Sequence, residues 1–228
     1  LDGHLLSGMC VPDLRGTQGS YTVFTEEEPE GTITGGIWRK LQKLDEKRWI
    51  AEIPGPELPG GNSAVISLEL DTSGKKTFIR SDTGKLKLVP RMLSDWLEMV
   101  FRADGSKVKG ISKFCLTEDE NGSPLLYATA IQVDPFSPSV SISHPVHYSR
   151  YLAGLYGPYA TLGLAEDTWA LNNGAVTEKI FLEQAWSIYE EREKMFFDAL
   201  KRTRDGLVGC VFDTSDRIQH MFWGDGSS

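Results

Sequence analysis

The sequence predicts a mixed α/β chain, and two patterns carry that prediction. Between residues 63 and 133, short apolar and β-branched runs recur between turn signals, as they do in an antiparallel sheet. Further on, an amphipathic stretch of helical period spans about 178–204 and is followed at once by the short apolar run 206–212, half of an αβ unit.

Taken in order, residues 1–25 give a glycine-rich loop feeding one short strand. Residues 26–62 are irregular, with Pro54-Gly-Pro56 and Pro59-Gly-Gly-Asn62 around short strands near 36–38 and 49–53. Six strands are then expected, at 64–70, 75–80, 85–89, 96–101, 108–116 and 125–133. Turns at 72–74, 82–84, Asp104-Gly105 and Asn121-Gly122 separate them. The alternation Lys85-Leu-Lys-Leu88 suits a strand with one wet face. After Asp134-Pro135 the chain turns helical. Phe181, Ala185, Ile188, Met195 and Ala199 mark one face of the long helix, Thr177 is its expected N-cap and Gly206 its stop. Three regions follow: 1–29 as a joining loop and strand, 30–133 as a β-rich module, and 134–228 as an α/β segment.

Composition narrows the function classes. With 24 basic against 32 acidic side chains the formal charge is -8, which opposes non-specific binding to nucleic acid or anionic membrane. The basic stretches at 39–48 and 107–113 are interleaved with apolar or acidic residues and read as solvated faces, and no nucleic-acid motif accompanies them. Cys10, Cys115 and Cys210 lack CxxC spacing and read as buried thiols. No apolar run approaches the length that crosses a bilayer, and no basic-then-apolar leader pattern is present. Nucleophile-elbow, Walker and dinucleotide fingerprints are missing as well.

The end of the chain holds the candidate chemistry. Asp216 and His220 lie four apart directly after the 206–212 run, which reads as a buried strand, and strand C-termini are where α/β proteins place reactive groups. If a helix opens there, the carboxylate and the imidazole share one face and offer oxygen and nitrogen to a metal such as Zn²⁺. A helix cap plus an ordinary histidine is the plainer alternative. Asp213 is expected to cap the turn or to orient His220, with Arg217 pointing elsewhere. His144 and His147 form an HxxH pair that Pro145 keeps out of a regular helix, so ligation there is disfavoured. Glu166 and Asp167 suit either a substrate-contact loop or the acidic first turn of a helix. Arg15, Gly16 and Gly19 are loop residues suited to a phosphate pocket.

Four stretches, GMCVPDLRGTQGSYTVFT, GPYATLGLAEDTWALNNG, FLEQAWSIYEEREKMFFDALKRTRDG and VFDTSDRIQHMFW, together resemble the type I phosphodiesterase and nucleotide pyrophosphatase branch of the alkaline phosphatase superfamily. The resemblance covers roughly 5–26 and 134–223. It implies a segment of an alkaline phosphatase-like α/β core carrying 30–133 as a β-rich insertion or cap. It also implies a hydrolase of phosphodiester or pyrophosphate bonds in a phosphoester substrate. Two divalent ions, usually zinc with manganese as an alternative, would serve it, and Asp216 and His220 match its Asp-x-x-x-His ligand element.

Other expected groups are missing: there is no Asp-His dipeptide, no nucleophile is assigned, and Asp2 has no apolar strand leading into it. Gly224–Ser228 reads as a linker. The expectation is therefore a central segment of a larger phosphohydrolase, inactive by itself. The alternative is a non-catalytic binding module, with Trp38, Trp49, Phe78, Trp96 and Phe101 as material for a recognition surface.

Overall fold

The computed structural model describes residues 3–7, 11–57, 63–103 and 105–223. Asp2, Cys10, the 59–62 turn, Asp104 and the 224–228 tail named above lie outside the described residues. The chain is mixed α/β, with mostly antiparallel sheets and four helices among the described residues.

Five strands pair antiparallel in chain order to form the longest sheet: β4 (Gln42–Lys43), β5 (Arg48–Glu57), β6 (Ser63–Asp71), β7 (Thr77–Arg80) and β8 (Lys85–Leu88). Their alternation is that of a sheet wet on one face. Trp49, Ala51 and Ile53 on β5 and Ala64, Ile66, Leu68 and Leu70 on β6 point into the core, and polar residues alternate with most of them. A three-stranded sheet of β9 (Leu97–Ala103), β10 (Ser106–Ser112) and β13 (Gln132–Val133) adds Leu97, Met99 and Phe101 to the same cluster.

The third sheet sets the layering. It runs β11 (Phe114–Glu118), β12 (Pro124–Ala128), β2 (Tyr21–Thr25), β3 (Gly36–Lys40), and β2 pairs with β3 in parallel. All five residues of β2 are buried, because both faces of this sheet are covered. Phe24, Phe114, Leu116 and Leu126 face the core shared with the other sheets. Tyr21, Val23, Cys115 and Tyr127, one position out of phase, face a second cluster with Ala170, Val176, Ile180 and Phe181 from the helical side. Through β2, the region before residue 30 shares a sheet with strands of the β-rich region.

The helices are α1 (Tyr148–Tyr156), α2 (Thr168–Asn172), α3 (Glu178–Arg202) and α4 (Thr214–Phe222); a short pair, β1 (Leu5–Leu6) and β14 (Ser143–His144), adjoins α1. The start of α3 is the expected one: the Thr177 hydroxyl accepts from Ile180 N at 3.4 Å. The helix ends at Arg202, short of Gly206, where the Thr203 hydroxyl donates to Ala199 O at 2.8 Å. No described helix is long and apolar enough to cross a membrane.

Four sequence expectations are corrected. The run 206–212 is not a buried strand: it has no ladder partner among the described residues, and Leu207 and Val211 are 96% and 70% exposed. A strand exists only where a neighbour takes its backbone hydrogen bonds, and this stretch lies instead against α3, with the Phe212 ring 5.5 Å from Tyr189 and 5.7 Å from Phe196. Cys210, within that run, is exposed, whereas Cys115 is buried and its thiol is pushed up to about 12 by that burial. The stretch 108–116 is two strands, not one. The chain leaves one sheet for the next at Lys113, and its partner does the same at Thr129, where Thr129 N donates to Lys113 O at 2.9 Å. Lys113 itself is buried rather than solvated, and its ammonium donates to Ser187 Oγ at 2.7 Å.

Candidate functional site

Asp216 and His220 sit on α4, which opens at Thr214 as the spacing requires. The Thr214 hydroxyl is buried and donates to Glu166 Oε1 at 3.1 Å, so the helix start is tied to the loop before α2. Met221, one residue beyond His220, packs against the Phe181 cluster and turns the opposite face of α4 inward.

On the outward face His220 Nε2 lies 3.3 Å from Asp216 Oδ1, with the side chains 72% and 59% exposed. A side-chain contact that exposed contributes little to stability. Asp213 neither caps α4 nor reaches His220; it pairs with Arg192 of α3. The expected orienting partner for the imidazole is therefore engaged elsewhere, because α3 runs alongside the 203–213 stretch.

Zinc takes four ligands in closed structural sites, and three protein ligands plus an open position in catalytic ones. Among the described residues no group of three or more His, Cys, Asp and Glu is placed to hold an ion. The Asp216–His220 pair fits half of such a site and not a whole one. His144 and His147 are both exposed, one in β14 and one at the N-cap of α1, and do not add to it.

Glu166 and Asp167 are brought together with more than the sequence suggested. Both are buried, 4% and 7% exposed. Asp167 precedes α2 but makes no side-chain cap. Its carboxylate accepts from the Tyr127 hydroxyl, and its N–H donates to Gln184 Oε1 at 2.9 Å. Burial, with a small contribution from the carboxylates of Asp13 and Glu166, pushes Asp167 up to about 6, against the lowering effect of Tyr127 and Gln184. The loop leading to this pair is pinned where Gln132 Oε1 accepts from Thr161 N at 2.7 Å and Leu162 N at 3.0 Å.

The glycine-rich loop is organised by Asp13. Its oxygens accept from Arg15 N and Thr17 N, both at 2.9 Å, and from Ser20 N at 3.0 Å. Gly19 borders the same small pocket as Glu166, while the Arg15 guanidinium donates to Ser20 Oγ at 3.1 Å. Arg217, which sequence reasoning set aside, also borders that pocket. The signal for it was present: it lies one residue after Asp216, hence on a different face of the same helix.

The five aromatics considered for a recognition surface are turned inward or half-covered. Phe101 and Trp49 are buried; Trp38, Phe78 and Trp96 are half-buried. The three indoles donate to Thr25, Glu26 and Glu191. No protein-family model, curated protein or solved structure matches this chain.

Proposed function

We propose that the chain is part of a metal-dependent phosphohydrolase acting on phosphodiester or pyrophosphate bonds, an alkaline phosphatase-like core segment in which Asp216 and His220 supply half the site of one divalent ion. The β-rich region 30–133 would stand as a cap over the organic part of the phosphoester. The observation that carries this reading is the 3.3 Å between Asp216 Oδ1 and His220 Nε2 on an exposed face. Two ligands bound at about 2.0–2.2 Å in tetrahedral geometry stand about 3.3–3.6 Å apart, a separation with which that of the pair is compatible. Exposure leaves room for the remaining ligands. Zinc is the expected ion, and manganese the alternative. When bound, such an ion polarises the phosphoryl oxygens and stabilises the leaving oxygen.

The chain by itself should bind zinc weakly and turn nothing over. Calorimetric titration of Zn²⁺ into the wild type, His220→Ala and Asp216→Asn, with hydrolysis of bis-p-nitrophenyl phosphate followed in the same samples, tests this. Binding that both substitutions weaken by about tenfold or more, without turnover, is the expected result. Equal zinc affinity in all three proteins would remove the assignment.

A further inference from the structure

A pocket of about 160 Å³ lies where the loop before α2 meets α4, bordered by Tyr21, Gly35, Glu166, Asp167, Trp169 and Arg217. A cavity of about 150 Å³ is enough to take up benzene, so this one has room for a compact organic molecule. Its aromatic wall is seated on backbone: a Cβ at Gly35 would fall 2.4 Å from Trp169 Cγ and Cδ1.

Two polar side chains at the pocket find their partners within the protein. Asp167 accepts from Tyr127, and the Tyr21 hydroxyl accepts from Asn173 Nδ2 at 2.8 Å. Two others do not. Glu166 is 96% buried and uses Oε1 for Thr214, but its Oε2 is buried with no hydrogen-bond partner among the described residues. Arg217 Nε is buried and unpartnered as well, so neither atom reaches the other. A buried polar atom without a partner is costly, and here one on a buried acidic side chain and one on a half-buried basic side chain border the same small space.

Those two groups define the ligand. Glu166 Oε2 needs a donor, and a charged one makes the stronger bond to a carboxylate. Arg217 Nε needs an acceptor, and the guanidinium that carries it is shaped for a carboxylate. A phosphate would satisfy Arg217 but would bring negative charge against Glu166 and Asp167; a simple amine would leave Arg217 unmet. We propose that the pocket binds a small α-amino acid, its ammonium on Glu166 and its carboxylate on Arg217, with the side chain beside Trp169. The site is separate from the Asp216–His220 pair and does not rest on the metal reading.

Calorimetry on the whole chain with L-valine, isobutylamine and isobutyrate tests it, each added to about 10 mM, tenfold above a Kd of about 1 mM. L-valine is expected to bind, and the amine and the acid to bind at least about tenfold more weakly, since each meets only one of the two groups. Glu166→Gln and Arg217→Met, checked for native circular dichroism, should each weaken L-valine by about tenfold or more. No heat with L-valine on the wild type overturns the proposal, and so do three probes of equal affinity. If a variant does not fold, the probe series on the wild type decides alone. A folded Glu166→Gln that binds L-valine as the wild type does also overturns it.

Discussion

The ammonium of Lys113 lies 3.7 Å from the carboxylate of Glu191, with the side chains only 11% and 18% exposed, and 4.7 Å from the centre of the Trp96 ring. This contact ties the point where β10 gives way to β11 onto the middle of α3. Glu191 is the hub, since it also accepts from Ala160 N at 2.8 Å and from the Trp96 indole at 3.3 Å. Burial lowers the Lys113 ammonium from its usual range, while Glu191 and Asp95 oppose that shift.

Removing one partner of such a pair leaves the other charge buried and uncompensated. Glu191→Ala strands three donors and should cost about 3 kcal/mol or more in urea unfolding; Lys113→Met, which keeps the stem packed, should cost less. If Glu191→Ala unfolds at the wild-type urea midpoint, the contact does not hold the helix to the sheets.

Asp167 should give the chain a distinctive pH response. Its carboxyl is raised from 3.8 to about 6, chiefly by burial, so the native state holds this proton more tightly than the unfolded chain does. The stability it contributes is fully present below pH 3.8 and is lost as pH rises through about 6. At about 1.4 kcal/mol for each pH unit, the loss is on the order of 3 kcal/mol. Ordinary ion-paired carboxylates slope the other way, so the comparison must be wild type minus Asp167→Asn. That difference should fall between pH 4 and 7, and a flat difference would show that burial does not raise this carboxyl. Tyr127→Phe removes a bond that favours the ionised form and should move the transition to higher pH.

Elements whose reasons are local were legible in the sequence. The Lys85-Leu-Lys-Leu88 alternation became β8, and Thr177 with its apolar spacing became α3, because capping and amphipathicity are written within a few residues. Where the reason is a distant partner, the reading failed. An apolar run at 206–212 looks like a strand until a neighbour is required, and Lys113 looks solvated until Glu191, Ser187 and Trp96 close around it. Asp216 and His220 were legible as a helical pair, since four-residue spacing needs only α4. The burial of Glu166 and Asp167 was not, because it depends on Tyr127, Gln184 and Thr214 arriving from three other elements.

The run 206–212, exposed over most of its length, can be compared directly with a buried strand. Leu207→Ser should change stability by no more than about 0.5 kcal/mol, because the side chain is 96% exposed. Leu68→Ala in β6, where the side chain is 1% exposed, should cost about 2–5 kcal/mol. A cost at Leu207 comparable with that at Leu68 would mean that the run is buried after all.

Two glycines should respond to alanine with opposite sign. Gly154 is helical, within α1, and a Cβ there meets nothing within 4 Å. Gly154→Ala therefore only restricts the unfolded chain and improves helix propensity, and should stabilise by about 0.5–1 kcal/mol. Gly55 lies in β5 under the ring of Phe101, where a Cβ would fall 2.2 Å from Cδ1 and 2.3 Å from Cε1. Phe101 is fully buried and has no free direction in which to move, so Gly55→Ala forces the two sheets apart or the ring out of its rotamer, at about 1–3 kcal/mol. Chemical denaturation of both variants measures the pair. Stabilisation by Gly55→Ala would mean that the contact between β5 and β9 is looser than the packing of Phe101 on Gly55 requires.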